Sequence, residues 1–229
     1  MQIEILEEVD STNNYIKRYL SSGEDRIVVA KRQTGGRGTK GRSFLSDEGG
    51  VYLTALNFYR GFFAKDAVLI MAHAATAVCK TAEYFGLSPE IKWPNDVYLS
   101  GKKLAGILVE NILEGDKVKA SVVGIGLNVS NELKSLSDIA VSLSEEAGRR
   151  IDVEEARELL IKNLLSADTF DDYLQRVHFL GREILVVESD CSYRARAIEI
   201  CHDGRLKVER GGVEVCLSAA EISLKFDVE

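Results

Sequence analysis

Between residues 91 and 129 the apolar residues recur with a period of two, and turn signals at Ser100-Gly101 and Glu114-Gly115-Asp116 cut the run into pieces. Such a pattern reads as three antiparallel strands, expected at 97–99, 104–112 and 118–129. Around them both periods occur. Alternating Ile3, Ile5 and Val9 give an opening strand, and Ser11-Thr12-Asn13 offer N-cap side chains to a helix through Tyr15, Ile16, Tyr19 and Leu20 that Gly23 closes. Strands are expected at 27–30 and 51–57. Residues 66–85 are apolar on several faces and stop at Gly86, the mark of a buried helix in which Met71 and His73 pack rather than ligate. Asp152 with Glu155 resembles a capping box for a helix to about 165, and 169–178 is amphipathic. After Gly181 only short β runs follow, at 184–187, 193–201, 206–209, 213–217 and 222–224, with turns at Asp203-Gly204 and Gly211-Gly212. The expectation is an α+β body over residues 1–179 and a small β-barrel over 180–229 packed against it.

Length and charge narrow the function. A chain of 229 residues can hold one substantial core, or one core plus a small satellite domain. No apolar run approaches the roughly 20 residues of a membrane span, and the N-terminus has neither a positive nor a long apolar region of a secretory signal. A formal net charge of −7 argues against a dedicated nucleic-acid binder. The four cysteines (Cys79, Cys191, Cys201, Cys216) form no C-x-x-C pair and the three histidines are isolated, so buried free thiols in a reducing cytoplasm are expected rather than a zinc site.

Against this acidic background residues 33–42, Q-T-G-G-R-G-T-K-G-R, reverse the local sign. Glycines let backbone N–H groups approach a ligand, and Arg37, Lys40 and Arg42 add charge for an anion. Neither a P-loop spacing nor a dinucleotide fingerprint is present. Alone, the run also reads as a solvated loop or a weak nucleic-acid contact. Three further blocks accompany it. Lys92-Trp93-Pro94-Asn95-Asp96 places an amide and a carboxylate at a strand edge after an extended Trp-Pro start, or is simply a turn. Lys103 opens the otherwise apolar K-L-A-G-I-L strand. Gly124-Ile125-Gly126-Leu127-Asn128 ends a strand with two glycines that permit close approach.

In this order the blocks resemble biotin protein ligases over nearly the whole chain, from S-T-N after the first strand to Ala220-Glu221-Ile222-Ser223-Leu224-Lys225 near the end. The resemblance implies a class II synthetase-like catalytic domain, with a mixed, largely antiparallel sheet and flanking helices, plus an SH3-like barrel. It implies a reaction in two steps. Biotin and ATP give biotinyl-5′-AMP and pyrophosphate; a lysine of a biotin carboxyl carrier protein then takes the biotinyl group. Carried over residue by residue, Ser11, Thr12, Asn13 and Gln33 meet the ureido end of biotin. Gly36, Arg37, Gly38 and Thr39 fold over its carboxylate and the phosphate, with Lys103 and Gly106 beside them. Lys40, Arg42, Phe44, Lys92, Asn95 and Asn128, with Arg37, face the nucleotide, and Asp96 serves magnesium. Lys103, Arg37 and Asp96 carry the chemistry. Lys103 does so because an ammonium offsets the repulsion between a carboxylate and an α-phosphate.

Phe44 stands where the family usually has tryptophan, and either ring can stack on adenine. Thr39 replaces an arginine of the usual G-R-G-R, so weaker retention of the intermediate and leakage onto unrelated lysines are expected. Ordering ten loop residues costs on the order of 10 kcal/mol, so 35–44 are expected to close over ligand. A chain that opens at its first strand leaves no room for the helix-turn-helix of some relatives, so a monofunctional, cytoplasmic form without DNA binding is expected. Edge strands allow a homodimer. Lipoate or octanoate transfer on the same fold, and non-catalytic biotin binding, are the alternatives.

Overall fold

The structure is a computed structural model and describes residues 1–133, 136–188, 191–218 and 223–225. Seven strands form the body: β1 (Gln2–Val9), β2 (Arg26–Gln33), β3 (Gly50–Phe58), β4 (Glu90–Lys92), β5 (Asp96–Leu99), β6 (Lys102–Glu114) and β7 (Lys117–Asn128). Their order is β1-β2-β3-β7-β6-β5-β4. Only β1 and β2 are parallel, joined through helix α1 (Thr12–Ile16); every other pair is antiparallel.

Alternation divides the central strands between two faces. Ile27, Val29, Leu53, Ala55, Val123 and Ile125 enter the main core, together with helix α2 (Val68–Tyr84) and helix α4 (Val153–Leu164). Val28, Leu56 and Val122 face the other way, under Ile16 of α1. Helix α2 ends at Gly86, whose φ of +84° suits a residue without a Cβ. Asp152 caps α4 by accepting from the N–H groups of Glu154 and Glu155, while the reciprocal capping box is made at Thr169 and Asp172. That second box opens α5 (Phe170–Leu174), shorter than the amphipathic run suggests. Beyond it Arg176 leaves the helix to hold Glu83 through two nitrogens at 2.7 and 2.9 Å. A fifth helix, α3 (Leu143–Ala147), and the three-residue β4 have no counterpart in the sequence reading.

Trp93-Pro94-Asn95 forms the turn of the β4–β5 hairpin, in which Lys92 faces Asp96, and not an extended lead-in. The Trp93 ring is buried and its Nε1–H donates to Gly204 O at 2.9 Å, tying the turn to the C-terminal sheet.

That sheet comprises β8 (Glu183–Val187), β9 (Ser192–Ile200), β10 (Leu206–Arg210), β11 (Val213–Leu217) and β12 (Ser223–Lys225), in the order β11-β10-β9-β8-β12. It is open rather than a closed barrel: among the described residues β11 and β12 form its two edges and do not pair with each other. Its apolar face is satisfied by the body instead, through Ile184, Val186, Ala195 and Ala197 in the main core. Residues 220–222 of the closing block lie outside the described residues. Of the cysteines only Cys79 is buried; Cys191 is exposed, and Cys201 and Cys216 are half-buried. Among the described residues no helix is long and apolar enough to cross a membrane.

Candidate active site

The second face of the body sheet is floored by glycine. Register aligns Thr54, Gly124 and Leu108 across β3, β7 and β6, and in the next row Tyr52, Gly126, Gly106 and, on β5, Asp96. A Cβ on Gly124 would overlap Asn13 Oδ1; one on Gly126 would lie 2.5 Å from Phe44 Cε1, and one on Gly106 3.1 Å from Lys103 Nζ. Three side chains from three separate segments thus rest on bare backbone. Gly124 lies beneath Asn13 and Gly126 beneath Phe44.

The S-T-N segment does not cap its helix. Ser11 is the N-cap but its side chain makes no capping bond, and all three side chains are buried. They are used on the sheet. The N–H and hydroxyl of Thr12 both donate to Gln33 Oε1, at 2.8 and 3.0 Å, and Gln33 Nε2 donates to Ser46 Oγ at 2.9 Å. Thr54 Oγ1 lies 2.8 Å from Thr12 Oγ1 and 2.7 Å from Asn13 Oδ1. Asn13 Nδ2 donates to Glu110 at 3.1 Å, and Lys17 donates to the other Glu110 oxygen at 2.8 Å. Burial alone would raise the Glu110 pKa, but the bonds from Lys17 and Asn13 outweigh it and hold the carboxyl below its usual range.

A β-bulge aims Lys103. Pairing of β5 with β6 shifts register between Val97 and Tyr98, so Tyr98 faces Lys103 while Val97 faces Ala105. Lys103 N–H donates to Ile139 O at 2.9 Å and its carbonyl accepts from Val141 N–H at 3.0 Å, which pins the backbone from the other side. The amine ends 2.7 Å from Asp96 Oδ1 and 5.9 Å from the centre of the Phe44 ring, with 30% of the side chain exposed. It is half-buried rather than fully buried. The Asp96 contact is a close ion pair, not an aligned hydrogen bond, so this buried oxygen keeps acceptor capacity.

Residues 36–44 form a compact hairpin over this floor. Gly38 N–H donates to Arg42 O at 2.7 Å and Phe44 N–H to Gly36 O at 2.9 Å. Arg37 reaches Asn14 Oδ1 at 3.1 Å, while Arg42 folds back onto Thr39, donating to its Oγ1 at 3.0 Å.

A cavity of about 100 Å3 collects Ser11, Thr12, Asn13, Gln33, Arg37 and Gly38, with Thr39, Arg42, Phe44, Asn95, Asp96, Lys103 and Gly106. Beside it, sharing Thr39, Arg42, Asn95 and Asp96, opens a cleft of about 500 Å3 that takes in Lys40 and Lys92. Lys92 is half-buried there, and burial pulls its amine pKa down against the opposing pull of Asp96. Asn95 is tied to the strand by donating to Ile107 O at 2.9 Å. Two of the expected residues lie outside both spaces. Gly36 is in the loop wall, where a Cβ would strike Ser46 Oγ at 2.5 Å. Asn128 lines a third cavity with Lys103 and Phe44, its amide donating to Val141 O at 3.3 Å and its oxygen accepting from Asn131.

Sequence reasoning missed Thr54, Leu108 and Glu110. Thr54 was detectable as a hydroxyl within the apolar run V-Y-L-T-A-L, and the other two by counting in twos from Gly106.

A family model described as the biotin/lipoate A/B protein ligase family matches residues 5–128. The bifunctional ligase/repressor BirA of Bacillus subtilis is 40% identical over 134 residues, 56% of this chain and 41% of that protein. The match thus spans about two fifths of that relative's length. The biotin–[acetyl-CoA-carboxylase] ligase of Paracoccus denitrificans is 33% identical over 168 residues, 68% of each chain. Among solved structures, the biotin protein ligase from Aquifex aeolicus in complex with biotin and ATP aligns with a TM-score of 0.77 over 98% of both chains at 27% identity.

Proposed function

The chain belongs to the biotin/lipoate A/B protein ligase family, and from that premise we propose that it activates biotin as biotinyl-5′-AMP and passes the biotinyl group to a lysine of a biotin carboxyl carrier protein. One observation carries this reading: the Lys103 ammonium and the Thr12–Gln33 polar cluster line a single cavity together with Arg37 and Thr39. In the first step an oxygen of the biotin carboxylate attacks the α-phosphorus of ATP and pyrophosphate leaves. Lys103 stands between the two anions and offsets their repulsion. In the second, the carrier amine attacks the acyl carbon, AMP departs and the amine loses its proton. The adjoining cleft, with Lys40, Arg42 and Lys92, suits the polyphosphate, and the Phe44 face suits adenine.

Magnesium fits with limits. Among the described residues no cluster of three or more metal-ligating side chains exists. Asp96 could supply one carboxylate oxygen, the remaining ligands being phosphate and water, as is common for this ion. Bound there, the ion would neutralise phosphate charge. Edge strand β1, with Ile3 and Ile5 half exposed, is the surface on which a homodimer would form.

The test is ATP–pyrophosphate exchange with biotin, lipoate and octanoate in parallel. Exchange driven by biotin supports the proposal. Exchange driven by lipoate or octanoate reassigns the substrate, and tight biotin binding without any exchange makes the chain a regulator.

Thr39 gives a further expectation. It sits where the cavity and cleft meet, and its hydroxyl holds Arg42 back. Thr39→Arg adds a guanidinium to the phosphate side and releases Arg42. A charge-assisted hydrogen bond contributes about 1.5–3 kcal/mol, so release of biotinyl-5′-AMP should slow by about ten-fold or more. Biotinylation of a bystander protein should fall in parallel. Unchanged release kinetics would remove Thr39 from the account of intermediate retention.

A further inference from the structure

We propose that Glu110 is a positioning residue for the ring end of the substrate: it fixes the orientation of the Asn13 amide and thereby keeps the Thr54 proton on Asn13 and off the Thr12 hydroxyl. The proposal rests on the functional reading above. Glu110 does not line the cavity, so it acts only through its neighbours.

An ionised carboxylate can accept hydrogen bonds but cannot donate them. The Asn13 atom 3.1 Å from Glu110 is therefore the amide nitrogen, which turns Oδ1 toward Thr54, 2.7 Å away. Oδ1 can only accept, so it takes the single Thr54 proton. Thr12 Oγ1, 2.8 Å from Thr54 Oγ1, is the other acceptor within reach of that proton and goes without it. On its other side Thr12 meets Gln33 Oε1 at 3.0 Å, again an acceptor, whose orientation is fixed by Ser46 accepting from Gln33 Nε2. The Thr12 proton goes to Gln33, so it points into the protein. Thr12 lines the cavity, so its unused lone pair is left for a ligand. A site arranged this way receives an N–H donor, as a cyclic urea presents, and has no reason to favour an N-substituted one.

Without the anion at residue 110 the Asn13 amide is free to reverse. Its NH2 would then meet Thr54, the Thr54 proton would turn to Thr12, and the lone pair offered to the ligand would be used internally. Lys17, 2.8 Å from the second Glu110 oxygen, guards the charged state. Arg37 adds to that field, since its charge also acts on Glu110. In sequence Glu110 reads as an ordinary solvated charge on a strand. Its place follows from register: Gly106, Leu108 and Glu110 share a face of β6, and Val122 faces Glu110 on β7.

The experiment compares wild type, Glu110→Ala and Glu110→Gln by calorimetric titration with biotin and with a biotin methylated on a ureido nitrogen, and by steady-state exchange kinetics. For Glu110→Ala, Kd and KM for biotin should rise about ten-fold, the scale of one well-placed hydrogen bond. kcat and the KM for ATP should stay within two-fold, and the preference for biotin over its N-methyl analogue should narrow. Glu110→Gln keeps one acceptor oxygen, for which Lys17 and Asn13 compete, so its biotin affinity should fall between those of wild type and Glu110→Ala. Biotin affinity unchanged in Glu110→Ala overturns the proposal, as does a loss shared equally by the biotin and ATP parameters, which marks a merely structural role. A wild-type chain that binds no biotin overturns the functional reading itself, whereas a wild type that binds biotin with Glu110→Ala equally tight overturns this inference alone.

Discussion

Lys103→Ala is expected to slow formation of the acyl-adenylate by about 10²–10³-fold, the usual cost of deleting one preorganised electrostatic group. Biotin binding should suffer far less. The geometry explains the asymmetry. The recognition cluster of Thr12, Asn13 and Gln33 is built from its own hydrogen bonds and from Thr54, Glu110 and Ser46, none of which touches Lys103. The Lys103 backbone is held on the far side by Ile139 and Val141, so truncating the side chain leaves the strand in place. What disappears is a positive charge between two substrates that are both anions, and that charge matters most as the new bond forms. Asp96 complicates a single substitution, because its carboxylate loses its partner at 2.7 Å. Lys103→Ala with Asp96→Asn removes the stranded anion and should recover little activity. Biotin-dependent ATP–pyrophosphate exchange gives the rate, and calorimetry gives biotin affinity. An exchange rate within about three-fold of wild type would mean that the ammonium does not act on the reacting atoms, contrary to its assigned role.

The resemblance of a few short blocks to a known family made much of this site legible, and tertiary placement decided the rest. Ser11, Thr12, Asn13, Gln33, Arg37 and Lys103 could be named from sequence because their blocks, taken together and in order, resemble those of biotin protein ligases, and the structure gathers all six around one cavity. Their purpose was less readable. Ser11 and its neighbours look like a helix cap, and only the approach of Thr54 and Glu110 from distant strands turns them inward. Asn128 carries a strong local pattern too, but its amide is spent on Val141 and Asn131, which lie in a loop the pattern does not describe. Lys103 owes its direction to a bulge, and bulges follow from pairing between strands rather than from composition. Among the elements, α3 went unread although its ends carry local signals: Ser142 accepts from Glu145 N–H and Gly148 ends the helix at φ +62°. The open C-terminal sheet was not, because alternating short strands suit a barrel equally well, and the apolar surface of the body decides between them.

Gly124→Ala should abolish measurable biotin binding while leaving a folded, less stable protein. Gly124 has an ordinary strand backbone, so no conformational penalty attends the substitution. Its whole effect comes from one methyl group, which would overlap Asn13 Oδ1 and lie 2.8 Å from its Cγ. A side chain free to swing would step aside. Asn13 is not free: it is buried, held by Thr54 at 2.7 Å on one side and Glu110 at 3.1 Å on the other. Forcing it out breaks both bonds and shifts the start of α1, with an overpacking cost of about 1–3 kcal/mol. A double-mutant cycle separates the two consequences. In an Asn13→Ala background the added methyl has space, so Gly124→Ala should then cost almost no stability by denaturant titration. Biotin affinity should stay low in the double mutant, since the amide that the cavity needs is gone. Gly124→Ala binding biotin as wild type does would show that Asn13 can leave its seat without consequence, and the glycine floor would lose its role in recognition. Equal destabilisation in both backgrounds would show instead that the methyl strikes something other than Asn13.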